Sequence, residues 1–200
     1  VYRYDAFSGK TYEVSTDPAS GKFFLSLEPY ESVVLLECEE NLPAEAVYFK
    51  GAAMAADQEK IALPEKWNVQ FADSFSWPKF TEKVPVEELC CVQEIAGWEK
   101  KAGTLQFSSE LKLEYEISAV LDLGEVFETA EVKVNGISAG LRLCRPYRFD
   151  LTGLLKKGEN QITIEVTNCL GTALRDPISH YLMIEPFGIE GPVVMKKIQK

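Results

Sequence analysis

The sequence predicts an all-β sandwich, and three observations predict it. Apolar residues alternate with polar ones at a period of two in several short segments. Turn signals recur every ~8–12 residues between those segments. No stretch sustains the 3.6-residue period of a long amphipathic helix. Residues 130–168 hold the clearest case. Ala130, Val132 and Val134 share one face against Glu131 and Lys133, and Ile162, Ile164 and Val166 oppose Gln161, Thr163 and Glu165. Such alternation marks a sheet that buries one face only. Asn135-Gly136 is a hairpin signal, because both residues tolerate the positive φ of a type I′ turn. Gly158-Glu159-Asn160 reads as a second turn that launches the last of these strands.

Taken in order, residues 1–40 read as strands and turns. A turn cluster spans 16–21. Phe23-Phe24-Leu25-Ser26-Leu27 reads as a strand, broken at Glu28-Pro29-Tyr30. Residues 32–38 read as a buried-type strand, β-branched at its start and too short for a helix. Two or three strands cannot bury a core alone. Residues 1–40 are therefore expected to be the tail of a preceding β domain, or strands added to the main one. Residues 41–66 are a connector. An Ala-rich run at 52–60 predicts a helical turn or two, and Pro64 ends it.

Residues 67–200 form the main predicted domain. Trp67, Val69 and Phe71 keep strand parity. Residues 86–95 fit either a short helix or an extended edge. Leu111, Leu113, Tyr115 and Ile117 share one face and read as the cleanest strand, with 119–124 following. Tyr147 and Phe149 alternate with Arg148 and Asp150 and belong to the core. A long irregular loop runs from 169 to 186, and a last strand spans 193–198.

Composition narrows the function. The chain has 200 residues, a hydrophobic fraction of 46% and a formal net charge of -10. An acidic surface opposes a phosphate backbone and an anionic membrane face, so neither nucleic acid nor membrane is an expected partner. No apolar run approaches the ~20 residues that span a bilayer. The five cysteines, Cys38, Cys90, Cys91, Cys144 and Cys169, include no C-x-x-C pair and no zinc spacing, so no metal and no cofactor is expected. Most sit in apolar runs and read as small buried hydrophobes, as reduced thiols. That tilts towards a reducing, cytoplasmic compartment. The chain opens V-Y-R-Y-D, without a signal-peptide pattern, as an excised piece of a longer polypeptide would. A secreted parent therefore stays open.

Catalytic motifs are absent. There is no G-x-S-x-G, no phosphate-binding glycine loop and no H-E-x-x-H. A Ser/His/Asp triad would have to pass through the single histidine, His180, and no nucleophile motif supports one. The carboxylates lie mostly on the polar faces of strands, where solvation explains them. Aromatic side chains are the other candidates, since sugar C–H faces pack on π surfaces. Trp67 reads as core by its parity. Trp77 and Trp98 lie outside the alternating runs, open to either packing or ligand contact.

The ordered series V-K-V-N-G-I-S-A-G, P-Y-R-F-D-L-T-G-L-L and K-K-G-E-N-Q-I-T-I-E-V-T-N over 132–168, with L-D-L-G at 121–124 and G-I-E-G-P-V-V at 188–194, resembles a known module. It is the galactose-binding-like jelly-roll domain of glycoside hydrolases of family 2 and of the family 106 α-L-rhamnosidase type. Residues 25–35 resemble the last strands of a β domain that precedes this module in rhamnosidase-like chains. The resemblance implies a jelly-roll β-sandwich placed towards the C-terminus of its parent, with the hydrolysing carboxylates on a separate barrel. It implies a non-catalytic accessory domain that binds carbohydrate or helps shape the parent's sugar pocket, with the catalytic domain of the same polypeptide as its partner. The alternative is a purely structural module with no ligand. The loop that Asn168 begins is where family 2 members can reach the barrel. Asn168, Arg175, Asp176, His180 and Tyr181, together with Trp98, are the candidate carbohydrate contacts. Asn135, Asp150 and Asn160 are assigned to turn geometry.

Overall fold

A computed structural model describes residues 1–7, 9–14, 16–23, 25, 27, 31–39, 41–43, 59–92, 95–174 and 186–198. The chain divides into two compact units, Val1–Ala53 and Met54–Lys200.

In the first unit, β1 (Tyr2–Asp5) lies between β2 (Lys10–Glu13) and β3 (Val34–Leu36), all antiparallel. The expected turn at 16–21 is present. Asp17 accepts from the Ala19 N–H at 3.0 Å and the Ser20 hydroxyl at 2.5 Å, and Gly21 closes it by donating to the Asp17 carbonyl. Two expectations fail here. Phe23 makes only an isolated bridge to Thr16, and Leu25 and Leu27 are exposed and outside any strand. Val34 and Leu35 form a strand but are exposed, because β3 is the edge of a three-stranded sheet too small to cover them. The Ala-rich run falls mainly outside the described residues. Its last member, Lys60, is in a strand rather than a helix.

The second unit is a β-sandwich. Its larger sheet contains β5 (Trp67–Ala72), β6 (Val84–Val86), β7 (Thr104–Leu113), β10 (Thr129–Val134), β11 (Ile137–Arg142) and β13 (Gly158–Thr167), in the order β11-β10-β13-β7-β5-β6. The smaller sheet contains β4 (Lys60–Ile61), β8 (Ala119–Asp122), β12 (Arg148–Asp150) and β15 (Val194–Lys197), in the order β12-β8-β15-β4. A two-stranded ribbon pairs β9 (Glu125–Phe127) with β14 (Gly188–Gly191). The chain passes directly from one sheet to the other after β4, β7, β11 and β12, which gives the crossing connectivity of a jelly roll. Val69, Phe107, Val132 and Ile164 of one sheet join Leu121, Phe149 and Met195 of the other in a single apolar core.

Period-two parity placed the core residues correctly. Ala130, Val132, Val134, Ile162, Ile164 and Val166 are fully buried, as are Trp67, Val69 and Phe71 within a few per cent. The Asn135-Gly136 turn joins β10 to β11 with φ of 53° and 80°. Pro146-Tyr147 carries the chain from β11 across to β12, and Tyr147 and Phe149 are buried. Asp150 accepts from the Thr152 N–H at 2.8 Å and starts the turn after β12.

Three readings of this unit are corrected. The strand placed at 111–117 ends at Leu113, and Tyr115 is exposed; the true strand extends back to Thr104, locked to β13 over ten residue pairs from Gly158↔Leu113 to Thr167↔Thr104. That pairing rewards Leu105 and Phe107 with burial, which an isolated 111–117 segment would not achieve. Gly158, Glu159 and Asn160 belong to β13 itself. The extended stretch ends at Val86, residues 87–90 are in neither strand nor helix, and Cys90, Cys91 and Val92 are buried. None of the five cysteines forms a disulfide; Cys90 and Cys91 are buried, while Cys38, Cys144 and Cys169 are exposed in loops.

Candidate functional site

One end of the larger sheet gathers the loops. Ala72 of β5 faces Thr104 of β7, Thr104 faces Thr167 of β13, Thr167 faces Thr129 of β10, and Ala130 faces Arg142 of β11. The segments 73–83, 95–103, 143–147 and 168–174 therefore leave or enter the sheet at this end.

The first loop is held by Asp73. Its carboxylate accepts from the N–H groups of Phe75 and Ser76 at 3.0 and 2.7 Å, and its carbonyl accepts from the Trp77 N–H at 3.0 Å. Those bonds hold the Asp73 carboxyl below its ordinary value, the Ser76 N–H contributing most. An Asx-type turn of this kind orders the backbone without burying it. Phe75 is consequently 98% exposed and Trp77 55% exposed.

The second loop turns inward. Trp98 packs on the core, its ring centroid 6.0 Å from that of Phe71 at 56°. Lys101 places its ammonium 4.2 Å from the Phe71 ring centre and 4.7 Å from that of Trp98. This cation–π stack covers the two rings. Trp98 is thus packed within the domain, which is one of the two alternatives the sequence left open for it.

Asn168 ties the second loop to the fourth, 168–174. Its Oδ1 accepts from the Gly103 N–H at 2.8 Å, its own N–H donates to the Gly103 carbonyl at 3.1 Å, and its Nδ2 donates to the Thr172 hydroxyl at 3.2 Å. Gly103 has φ +150°, and a Cβ there would lie 2.3 Å from the Ala72 carbonyl oxygen. The close crossing of the two chains needs glycine. Beyond Asn168, a single turn of helix, α1 (Gly171–Leu174), buries Thr172 and leaves Leu170 and Leu174 exposed. Arg175, Asp176, His180 and Tyr181 lie outside the described residues.

The structure adds a feature absent from the sequence reading. Phe75, Trp77, Leu141, Leu143, Leu170 and Leu174 are all exposed at this end, and among the described residues of the second unit the other large exposed apolar residues, Tyr115 and Ile137, lie at the opposite end. The six come from strands one, three and five of the sheet order and the loops beyond them, a row of roughly 20 Å at ~4.8 Å per strand. Exposed large apolar side chains gathered at one end of a sheet point to a surface that meets another body. The signal in the sequence was weak. Phe75 and Trp77 stand in Asp73-Ser74-Phe75-Ser76-Trp77-Pro78, where turn residues deny them strand parity.

The other face of the larger sheet carries polar groups. Lys133 places its ammonium 3.2 Å from both Glu131 and Glu165, and Gln106 donates to Glu165 at 2.9 Å. Partial burial opposes the charge on Lys133, but the two carboxylates outweigh it and hold the group above its ordinary value. Among the described residues no group of three or more metal-ligating side chains converges.

No family model matches the chain. Over 116 residues, 54% of the chain, it is 32% identical to a Formosa agariphila protein named "Putative beta-glucuronidase", of which it spans 10%. In fold, 98% of the chain overlays on 20% of a rhamnosidase from Novosphingobium sp. PP1Y, with a TM-score of 0.71 and 21% identity. Further, 71% of it overlays on 25% of a family 2 β-galacturonidase from Eisenbergiella tayi, with a TM-score of 0.54 and 20% identity. At such identities these two likenesses establish the fold, a β-sandwich shared with glycoside hydrolases. The chain spans about a tenth of the curated relative and a fifth to a quarter of these structures.

Proposed function

We propose that this chain is a non-catalytic accessory β-sandwich of a larger glycoside hydrolase. Its loop end packs on a neighbouring domain of the same polypeptide and helps shape that enzyme's sugar pocket. The observation that carries the reading is the agreement of two likenesses. A sequence match over 116 residues and a fold match over 98% of the chain both lead to glycoside hydrolases in which the matched part is a minor share. The apolar row from Leu143 to Trp77 supports the docking part, because a surface of that kind is stabilised by removal from water. Trp98 and Asn168 are engaged by Phe71, Lys101, Gly103 and Thr172. Their role is to hold the docking loops in place, and the sugar is contacted by other groups.

Two assays test this. Nitrophenyl α-L-rhamnoside and β-D-glucuronide are offered to the chain alone and to the whole polypeptide that carries it. Turnover is expected from the whole polypeptide and none from the chain. The triple substitution Phe75→Ser, Trp77→Ser, Leu174→Ser is expected to lower the thermal stability and turnover of the whole polypeptide. Turnover by the purified chain, or no effect of the triple substitution on the whole polypeptide, overturns the reading.

A further inference from the structure

The sheet of the first unit has two edges of different character. One edge, β2, carries Lys10 and Glu13, and its Thr11 hydroxyl donates to the Pro43 carbonyl at 2.5 Å. The other edge, β3, is Val34-Leu35-Leu36, preceded by Val33, an uncharged run of apolar residues. Val34 is 47% exposed and Leu35 36%. Successive side chains on a strand point to opposite faces, so β3 shows an apolar group to water on each face. A strand that is apolar on both faces suits the inside of a sheet and not its rim.

The ladder fixes which backbone groups face the open side. The Val14 N–H donates to the Val1 carbonyl at 3.0 Å, and the Gly9 N–H donates to the Asp5 carbonyl at 2.8 Å. The odd-numbered residues of β1 therefore address β2, and Tyr2 and Tyr4 address β3. Their partners, Leu36 and Val34, bond back to β1. Leu35, opposite Arg3, directs its N–H and C=O away from the sheet, and neither has a partner among the described residues. Such groups are a template for a further strand. The five other edge strands of the three larger sheets are each guarded against this. Besides the charges of β2, β4 is two residues long, β6 has Pro85 at its centre, β11 is bulged opposite Val132 and Lys133, and β12 carries Arg148 and Asp150.

Two facts select the occupant. A pairing of two copies over so short a strand falls short of the roughly 1,200 Å² that a stable interface buries. A segment on the same polypeptide needs less area, because the linkage raises its effective concentration to about the millimolar range. The chain spans 10% of the curated relative and 20–25% of the matched structures, so a polypeptide of that kind has ample further chain to supply one. We infer that β3 is an interior strand of a larger sheet. Its next strand, apolar on both faces, comes from the polypeptide outside residues 1–200 and pairs with the N–H and C=O of Leu35. The inference rests on the accessory-domain reading for that longer polypeptide, and it is a second contact, independent of the loop end.

The test is residue-resolved hydrogen–deuterium exchange on the chain alone and on the whole polypeptide that carries it. In the chain alone, the Leu35 amide is expected to exchange within about tenfold of an unprotected peptide, and in the whole polypeptide at least about a hundredfold more slowly, with Leu36 slowed in both. Val34→Lys keeps every backbone donor and puts a charge on an exposed position of the edge. It is expected to restore fast exchange at Leu35 in the whole polypeptide and to leave the exchange of the chain alone unchanged. Three results overturn the inference: equally fast exchange at Leu35 in both samples, slow exchange there in the chain alone, or slowing in the chain that grows with its concentration, the mark of pairing between copies. None of these outcomes touches the accessory-domain reading, which falls instead on turnover by the chain alone or on a failed docking test.

Discussion

Asn135 donates its Nδ2 to the Oδ1 of Asn160 at 3.0 Å, joining the β10–β11 turn to the start of β13. Each partner is engaged further. Asn135 Oδ1 accepts from the Gln161 N–H at 3.0 Å. Asn160 Oδ1 accepts from the Lys156 N–H at 2.8 Å, and its Nδ2 donates to the carbonyls of Lys156 at 2.7 Å and Gly158 at 3.2 Å. Asn160 is fully buried, so these bonds replace water that cannot reach it.

Asn160→Ala is expected to destabilise the second unit by about 2–3 kcal/mol, because it leaves the Lys156 and Gly158 backbone groups without partners in a closed site. Urea unfolding followed by Trp fluorescence measures it. A loss below about 0.5 kcal/mol would show that water reaches the turn and that the bonds are dispensable.

Glycine at 103 and glycine at 136 are expected to differ sharply. Gly103→Ala puts a Cβ 2.3 Å from the Ala72 carbonyl oxygen and should cost upward of about 3 kcal/mol or block folding. Gly136→Ala meets nothing within 4 Å and carries only the penalty of its φ of +80°, about 1 kcal/mol. Thermal unfolding of the two variants side by side decides it, and equal effects would refute the close crossing.

The Asp73 carboxyl is held below its ordinary value of 3.8 by the Ser76 N–H first and the Ser76 hydroxyl next. A carboxyl with a lowered folded value contributes stability that is present above 3.8 and lost as pH falls through that lower value. Asp73→Asn should therefore be less stable than the parent chain near neutrality, and the gap should close as pH drops below 3.8. Chemical unfolding across that range measures the gap; a gap independent of pH would mean that the charge of the Asp73 carboxylate contributes nothing to stability.

Phe75→Ser with Trp77→Ser is expected to change the stability of the isolated chain by less than about 0.5 kcal/mol, since both side chains are open to water. The same change should reduce self-association measured by light scattering. A loss above about 1.5 kcal/mol would show that these rings pack within the chain.

Much of the second unit was legible in its residues. Period-two alternation identified the buried faces of β5, β10 and β13, since a strand with one wet face has only one parity that works. The Asn135-Gly136 turn and the Asp150 turn were legible because they depend on local φ and short side-chain reach. Less legible were the features that depend on a distant partner. The true extent of β7 follows from its pairing with β13, and the exposure of Val34 and Leu35 follows from an edge position. The candidate site divided the same way. Trp98 and Asn168 were singled out from their loops, but the partners that engage them, Phe71, Lys101 and Gly103, come from segments far along the chain.

By itself, then, the sequence determined the fold class, the faces of the main strands and the tight turns, because each is set by interactions within a few residues. Only the tertiary structure decided which apolar side chains stay in water and which strand edge stays open. The row from Leu143 to Trp77 and the edge at Leu35 are set by strands and loops separated in sequence. Whether a leucine packs or a backbone amide bonds depends on what the neighbouring strand places beside it.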